Sequence, residues 1–324
     1  MSEKMKIVIA YDGSDCANAA LEDLPRAGFP RVAEALILSV AEVFLPPSSS
    51  PAPALPAEVP MTVQRAWAQA THAVDEAHAL AQQARTRLLT VFPAWEVRIE
   101  ACADSPAWAV VKKADTWQPD LIVVGSHGRS ALARFVLGSV SQKILTEARC
   151  SVRVGRSHRQ TYAAPARLLI GVDGSPDAAA AVGAVAARVW PVGSAVRLVT
   201  ALDARMCTAL AFMRLPGQTG TELGDTDEHA WMSRTLDAMA APLYTRGLDV
   251  SSVIREGDPK HVLLDEAEHW EADGLFVGAR GLSRVERFLL GSVSAAVAAR
   301  AHCSVEVVRA AMASSGMGEQ EGRE

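Results

Sequence analysis

The chain has 324 residues, 49% of them apolar, and a formal net charge of −5. That length corresponds to about two domains of ~150 residues, each apolar enough to bury a core, and the mild acidity excludes a general nucleic-acid binder, which carries a basic excess. No run reaches the ~18 apolar residues of a membrane span, and the amino terminus enters MKIVIAYDGS almost at once, which predicts a cytoplasmic protein without a signal peptide.

In chain order, short β-rich runs alternate with helical patterns. KIVIAY (6–11), ALILSV (35–40), EVRIEA (96–101), LIVVG (121–125) and SVRVG (151–155) read as strands. Their continuous apolar character suits a parallel sheet buried on both faces. Between them lie FLPPSSSPAPALPAEVP (44–60), too proline-rich for a helix or central strand, and a long alanine-rich helix over 61–92. A helix at 105–118 opens on Ser105 as N-cap with Pro106 in its first turn. After a polar joint, about 155–166, the pattern returns: RLLIGV (167–172), AVRLVT (195–200), DVSSVIRE (249–256), LFVGA (275–279) and SVEVV (304–308), with Asp258 and Pro259 opening the counterpart helix. The tail 311–324 reads as disordered.

The two halves are copies. KIVIAYDGSD returns as RLLIGVDGSP, with an offset of 161 from Asp12 to Asp173. DLIVVGSHGRSALARFVLGSVS returns as DGLFVGARGLSRVERFLLGSVS, and ARCSVRVGR as AHCSVEVVR, both with an offset of 153 (Gly125 to Gly278, Cys150 to Cys303). Copy one therefore carries a net eight extra residues (161 − 153), which we place in the 44–60 stretch. Alternating strands and helices of these lengths predict an α/β fold of two doubly wound domains, 1–156 and 166–310. In such sheets ligands bind beyond the carboxyl ends of the strands, where strand order reverses. The cysteines (Cys16, Cys102, Cys150, Cys207, Cys303) are dispersed, as expected of reduced and mostly buried thiols; Cys150 and Cys303 read as small core residues.

Two segments per copy end strands in a way that invites a ligand. Gly125 and Gly128 can take positive φ and let the backbone approach closely. Gly138 and Ser139 open a helix whose unpaired N–H groups attract phosphate. Ser130, Arg129, Arg134 and His127 stand nearby, and Asp12 can accept from a ribose hydroxyl or an adenine amino group. Copy two supplies Asp173, Gly278, Gly281, Gly291 and Ser292, with Arg280, Ser283 and Arg284 near. Asp15 and Asp177 are placed to help hold Mg²⁺. The competing reading makes Asp12 and Asp173 simple turn formers or helix caps. His127 has no copy, Arg280 taking its place, which argues against a metal role.

These residues resemble the universal stress protein family in its tandem form. The family's motif is Gly, two residues, Gly, nine residues, Gly and Ser or Thr; here it falls on Gly125, Gly128, Gly138, Ser139 and again on Gly278, Gly281, Gly291, Ser292. The resemblance covers about 6–156 and 167–309. It implies a Rossmann-like, adenine nucleotide α-hydrolase-like fold with strand order 3-2-1-4-5 in each domain, and ATP binding, with or without Mg²⁺. Asp12 and Val40 would hold the adenosine of the first site and the glycine loop its phosphates; Thr200 is the expected counterpart of Val40 in copy two. The resemblance also implies pairing through the last strands, here an intramolecular pseudo-dimer, with a homodimer of whole chains left open.

Catalytic equipment is poor: no Walker lysine follows a glycine loop, and neither HExxH nor GxSxG occurs. The expected function is therefore nucleotide-dependent stress-response or signalling regulation, with at most weak ATPase activity and no assigned catalytic or metal-ligating residue. The alternatives are an ATP-using hydrolase or adenylylating enzyme of the adenine nucleotide α-hydrolase type, and a structural member that binds no nucleotide.

Overall fold

The computed structural model describes residues 4–43, 61–128, 137–157, 164–203, 225–281 and 290–310. The proline-rich stretch 44–60 and the tail 311–324 lie outside them. Copy one runs β1 (Met5–Ala10), α1 (Asp15–Asp23), β2 (Ala33–Ala41), α2 (Met61–Val91), β3 (Glu96–Ala103), α3 (Pro106–Trp117), β4 (Leu121–Gly125), α4 (Ser139–Glu147) and β5 (Ser151–Gly155). Copy two repeats it as β6 (Arg167–Gly171), α5 (Pro176–Ala186), β7 (Ala195–Leu202), α6 (Asp225–Tyr244), β8 (Asp249–Glu256), α7 (Pro259–His269), β9 (Gly274–Gly278), α8 (Ser292–Arg300) and β10 (Ser304–Val308).

The strands form one sheet in the order β3-β2-β1-β4-β5-β10-β9-β6-β7-β8. Within each copy all pairs are parallel, in the order 3-2-1-4-5, and the copies meet where β5 and β10 run antiparallel. The strands expected from sequence are present to within a few residues. An unexpected device fixes the β1–β4 start. Asp120 Oδ2 accepts the Lys6 N–H at 2.7 Å, and Asp273 Oδ2 accepts the Arg167 N–H at 2.8 Å in copy two. The β2–β7 register keeps the offset of 161 and the β3–β8 register the offset of 153, so the eight extra residues of copy one fall between β2 and β3.

Several helix starts follow the capping chemistry. Ser14 Oγ accepts from Ala17 N at 3.2 Å, Ser175 Oγ from Ala178 N at 3.1 Å and the Asp258 side chain from Lys260 N at 2.8 Å. Ser105 occupies the expected cap position but its side chain caps nothing; its own N–H donates to Asp104 Oδ1 at 2.7 Å. Pro106 then presets the first turn without an N–H to satisfy.

Side chains alternate across β5 and β10, and this divides the interior. Val152, Val154, Val305 and Val307 point into one apolar cluster that runs from copy one to copy two beneath α3, α4, α7 and α8. On the opposite face each copy has its own cluster, Ile7, Ile9 and Leu24 in one and Leu168, Ile170 and Val185 in the other. Between these two clusters lie the buried charges Asp23, Arg153, Arg188 and Glu306. Arg153 donates to Asp23 Oδ1 at 2.8 Å and to Glu306 Oε2 at 3.3 Å, Arg188 donates to Glu306 Oε1, and Ser304 Oγ donates to Asp23 Oδ1 at 2.7 Å. Charges so deeply buried persist because each meets an opposite charge or a hydrogen-bonding group.

Cys303 is buried and Cys150 nearly so, as the sequence reading expects, and burial pushes both thiols up to about 12. Neither is ionised at pH 8, so site mapping by mass spectrometry after native labelling with iodoacetamide at that pH is expected to find both unmodified, and to find them labelled once the chain is unfolded. Removing one member of a buried ion pair strands its partner, at a cost of about 3–5 kcal/mol. Asp23→Ala is expected to lower stability in urea by that amount.

Candidate functional site

At β1 the chain leaves the sheet through Tyr11 and enters a tight turn. Asp12 Oδ1 accepts the Ser14 N–H at 3.0 Å, Gly13 takes φ +77, and Ser14 caps α1. Copy two repeats it: Asp173 Oδ1 accepts from Ser175 N at 2.9 Å, Gly174 takes φ +81, and Ser175 caps α5. The turn-forming role of both aspartates is thus present. It uses one carboxylate oxygen; the other, Oδ2, faces the glycine loop after β4 or β9.

That loop corrects the reason given for its glycines. None of Gly125, Gly128, Gly138, Gly278, Gly281 and Gly291 has positive φ; they are glycines because of what lies against them. A Cβ on Gly125 would sit 2.7 Å from the backbone carbon and oxygen of Cys16, and one on Gly278 2.7 Å from the backbone carbon of Asp177. A Cβ on Gly128 would lie 3.0 Å from Asp12 Oδ2, and one on Gly281 2.7 Å from Asp173 Oδ2. The first pair lets the first helix of each copy press onto the strand end. The second brings the loop backbone against the aspartate.

The loop closes where Gly138 N–H donates to Ser126 O at 2.8 Å, and Gly291 N–H to Ala279 O at 2.8 Å. Helix α4 then starts at Ser139 and α8 at Ser292, and neither has a side chain capping its first N–H groups. Two residues absent from the sequence reading hold these helices in place: Ser141 Oγ donates to Gly125 O at 2.7 Å and Ser294 Oγ to Gly278 O at 2.6 Å. The duplicated GSVS was the signal for them. Arg129, Ser130, Arg134, Ser283 and Arg284 lie outside the described residues.

In copy one these parts border a crevice of about 500 Å³. It is lined by the polar residues Asp12, His127, Ser139 and Ser141 and the backbone of Gly128, by the apolar side chains of Leu38, Val40, Ala77, Leu80 and Val110, and by Glu42 and Glu76. His127 Nδ1 lies 3.2 Å from Ser126 Oγ, which in turn donates to Cys16 Sγ at 3.5 Å. Burial, with Arg156 adding to it, holds the His127 imidazole below its usual range, so it faces the crevice neutral at pH 7.

Copy two differs at three points. Arg280, where His127 stands in copy one, is clamped on Asp177, its Nε 2.9 Å from Oδ2 and its Nη2 3.1 Å from Oδ1. The guanidinium is therefore held by a carboxylate rather than presented to an anion, and Asp177, 3% exposed, is engaged by Arg280 rather than presented to Mg²⁺. Asp15 is exposed on the first turn of α1 and does not border the copy-one crevice. Thr200 is not the counterpart of Val40. Tyr11 N–H donates to Leu38 O and Val172 N–H to Val199 O, so Thr200 matches Ser39 and Ala201 matches Val40. Thr200 Oγ1 donates to Val172 O at 2.7 Å just as Ser39 Oγ donates to Tyr11 O, both turned into the interior. Finally, Trp231 of α6 covers Gly174 where Leu80 of α2 covers Gly13.

Among the described residues no group of three or more His, Cys, Asp or Glu side chains is arranged to hold a metal, and no helix is long and apolar enough to cross a membrane.

Comparison with known proteins agrees with this geometry. The family model described as "Universal stress protein family" matches twice, over residues 4–156 and 166–309. The universal stress protein Rv2005c of Mycobacterium tuberculosis is 31% identical over 201 residues, 59% of this chain and 62% of that relative, so the match spans about three fifths of the relative's length. The universal stress protein MJ0531 of Methanocaldococcus jannaschii is 31% identical over 151 residues, 46% of this chain and 80% of that relative. Among solved structures, a universal stress protein from Archaeoglobus fulgidus shares the fold, with a TM-score of 0.60 and 19% identity over 94% of this chain and 98% of that one. With both copies matched by the family model and the duplicated glycine loop in place, the chain belongs to the universal stress protein family.

Proposed function

We propose that the chain binds an adenine nucleotide, ATP in the first instance, in the crevice of copy one, and acts as a nucleotide-dependent regulator in a stress response. The observation that carries this is one space of about 500 Å³ lined both by apolar side chains and by an uncapped helix start and a loop with no side chain at Gly128. A ligand with a flat, largely apolar base and an anionic tail matches both kinds of lining. Asp12 and Val40 would hold the adenosine; Gly128, Gly138 and Ser139 would meet the phosphates with main-chain N–H groups. Gly125 serves the site by letting α1 approach. Arg129, expected from the sequence to join these residues, lies outside the described ones. Magnesium would arrive on the phosphates, since Mg²⁺ needs only one or two protein carboxylates when phosphates supply the rest.

Copy two carries the same arrangement in Asp173, Gly278, Gly281, Gly291 and Ser292, and we assign it the weaker site. Anion binding there competes with the Arg280–Asp177 clamp, and Ala201 offers less apolar surface than Val40. Phosphoryl transfer needs a positioned nucleophile as well as charge stabilisation; the described residues at the crevice supply the second. We therefore read the occupied state as a signal, with hydrolysis slow, acting through unequal affinity for two conformations. The units 1–156 and 166–310 would work as an intramolecular pair.

Thermal-shift titration with ATP, ADP and AMP tests the reading: ligand at a hundred times its Kd adds about 2.7 kcal/mol to stability. No shift with any of the three, and no nucleotide released from freshly purified protein, overturns it. Gly128→Val forces a branched side chain onto the Asp12 carboxylate and the phosphate path, and is expected to weaken ATP binding at least about tenfold by calorimetry. Asp12→Ala is expected to weaken ATP binding while lowering stability by only about 1 kcal/mol, the scale of a lost turn or cap bond. If it instead unfolds copy one with no separate effect on affinity, the aspartate serves the turn alone.

A further inference from the structure

The joint between the copies contains positions that face their own repeat counterparts. Across the β5–β10 ladder Val152 pairs with Val307, Val154 with Val305 and Arg153 with Glu306. With the offset of 153 between these strands, 306 is the counterpart of 153, so this position lies on the axis relating the copies. A second such place follows α1 and α5, where the offset is 161. Arg188 donates from Nη1 to Ala27 O at 3.0 Å, and Val189 N–H to Gly28 O at 3.0 Å. Here 188 is the counterpart of 27, 189 of 28 and Trp190 of Phe29. Were the copies identical, like would face like at 153, 27 and 28, and the residue at 29 would pack on 28 of the other copy. Instead an arginine faces a glutamate, an arginine faces an alanine, and the Trp190 ring lies where a Cβ on Gly28 would be 2.9 Å away.

We propose that this joint is an interaction surface built for unlike copies: the β5 edge of copy one accepts copy two and refuses another copy one, and the β10 edge of copy two refuses another copy two. The charges alternate along the line Asp23, Arg153, Glu306, Arg188. Each copy brings its own counter-charge, Asp23 for Arg153 and Arg188 for Glu306, so a like pair would be neutral too. Its two central groups, however, would carry the same sign at the spot where charge is least solvated. Shape acts in the same direction. In a pair of copies two, Arg188 would meet Arg188, and Trp190 would face Val189 instead of a glycine. In a pair of copies one, Phe29 and Ala27 would leave empty the space that Trp190 and Arg188 fill, where the Arg188 guanidinium now lies 4.8 Å from the centre of the Phe29 ring and 5.4 Å from that of Phe276.

Two further sets of contacts across the joint are symmetric and favour no partner, whereas the buried Arg26–Asp273 pair has no mirror image, the counterpart of Arg26 being Ala187. Arg156 reaches Ala298 O and Cys303 O of copy two, and Arg309 reaches Leu145 O and Cys150 O of copy one. These and the valine ladder fix register; the positions that differ choose the partner.

The test makes the copies alike at single positions in the intact chain. Glu306→Arg gives copy two the residue of copy one, and Ala27→Arg gives copy one the residue of copy two. Each is expected to open the joint, seen as a larger radius of gyration in small-angle X-ray scattering with helix content retained. Partner choice itself is read on a chain with a protease site placed in 158–163, cut after folding, mixed with an isotope-labelled sample, taken through urea and refolded, and weighed by native mass spectrometry. One copy one with one copy two is expected to exceed either like pair by more than roughly a hundredfold. Like pairs at comparable abundance, or wild-type dimensions for both single variants, would overturn the proposal.

Discussion

The arrangement of each copy depends on how closely a helix backbone can approach a strand end. At Gly125 the Cys16 backbone lies where a Cβ would be 2.7 Å away, and at Gly278 the Asp177 backbone does the same. Any side chain there would push the helix outward by more than a well-packed interior tolerates. Because the helix is in, the turn that begins it is in as well. Asp12 and Asp173 therefore stand against the loops after β4 and β9. The crevice between the two segments follows from strand order: β1 pairs with β2 on one side and β4 on the other, so the chain leaves these strands in opposite directions.

Duplication separates what the fold requires from what one copy does with it. The Asp–Gly–Ser turn, the helix cap, the Asp120 and Asp273 locks and the serines Ser141 and Ser294 recur with the same partners. These belong to the scaffold. The residues around these strand ends have diverged: His127 against Arg280, Cys16 against Asp177, Val40 against Ala201. An ion pair has formed in copy two where copy one keeps a neutral imidazole, a hydroxyl and a thiol. Two paired substitutions, an acid and the arginine beside it, make this corner of copy two self-satisfied and leave its twin in copy one polar.

The joint obeys a related logic. Its backbone ladder and apolar face could be shared by any two copies, whereas the charged line from Asp23 to Arg188 is directional. Buried charges contribute little net stability when they replace well-packed apolar groups, because desolvation offsets their attraction. Their consequence lies in the arrangements they disfavour.

The sequence by itself determined the duplication, the strand and helix order, the position of both glycine loops and the aspartates that face them, since each leaves a local mark: continuous apolar runs, a repeat at fixed spacing, glycine where no side chain fits. It placed Cys150 and Cys303 in the interior for the same reason. Tertiary structure alone decided what the glycines are for. Local composition shows that Gly125 lacks a side chain, and only packing shows that a helix 109 positions earlier in the chain fills the space. The same holds for Arg280, which reads as an anion ligand until Asp177, over 100 residues away, proves to hold it. The pairing of Thr200 with Ser39 rather than Val40 likewise comes from the β1–β2 and β6–β7 ladders. Long-range partners of polar groups carry no periodic signature, so a charge in a sequence does not reveal whether it meets solvent, ligand or another charge until the chain has folded.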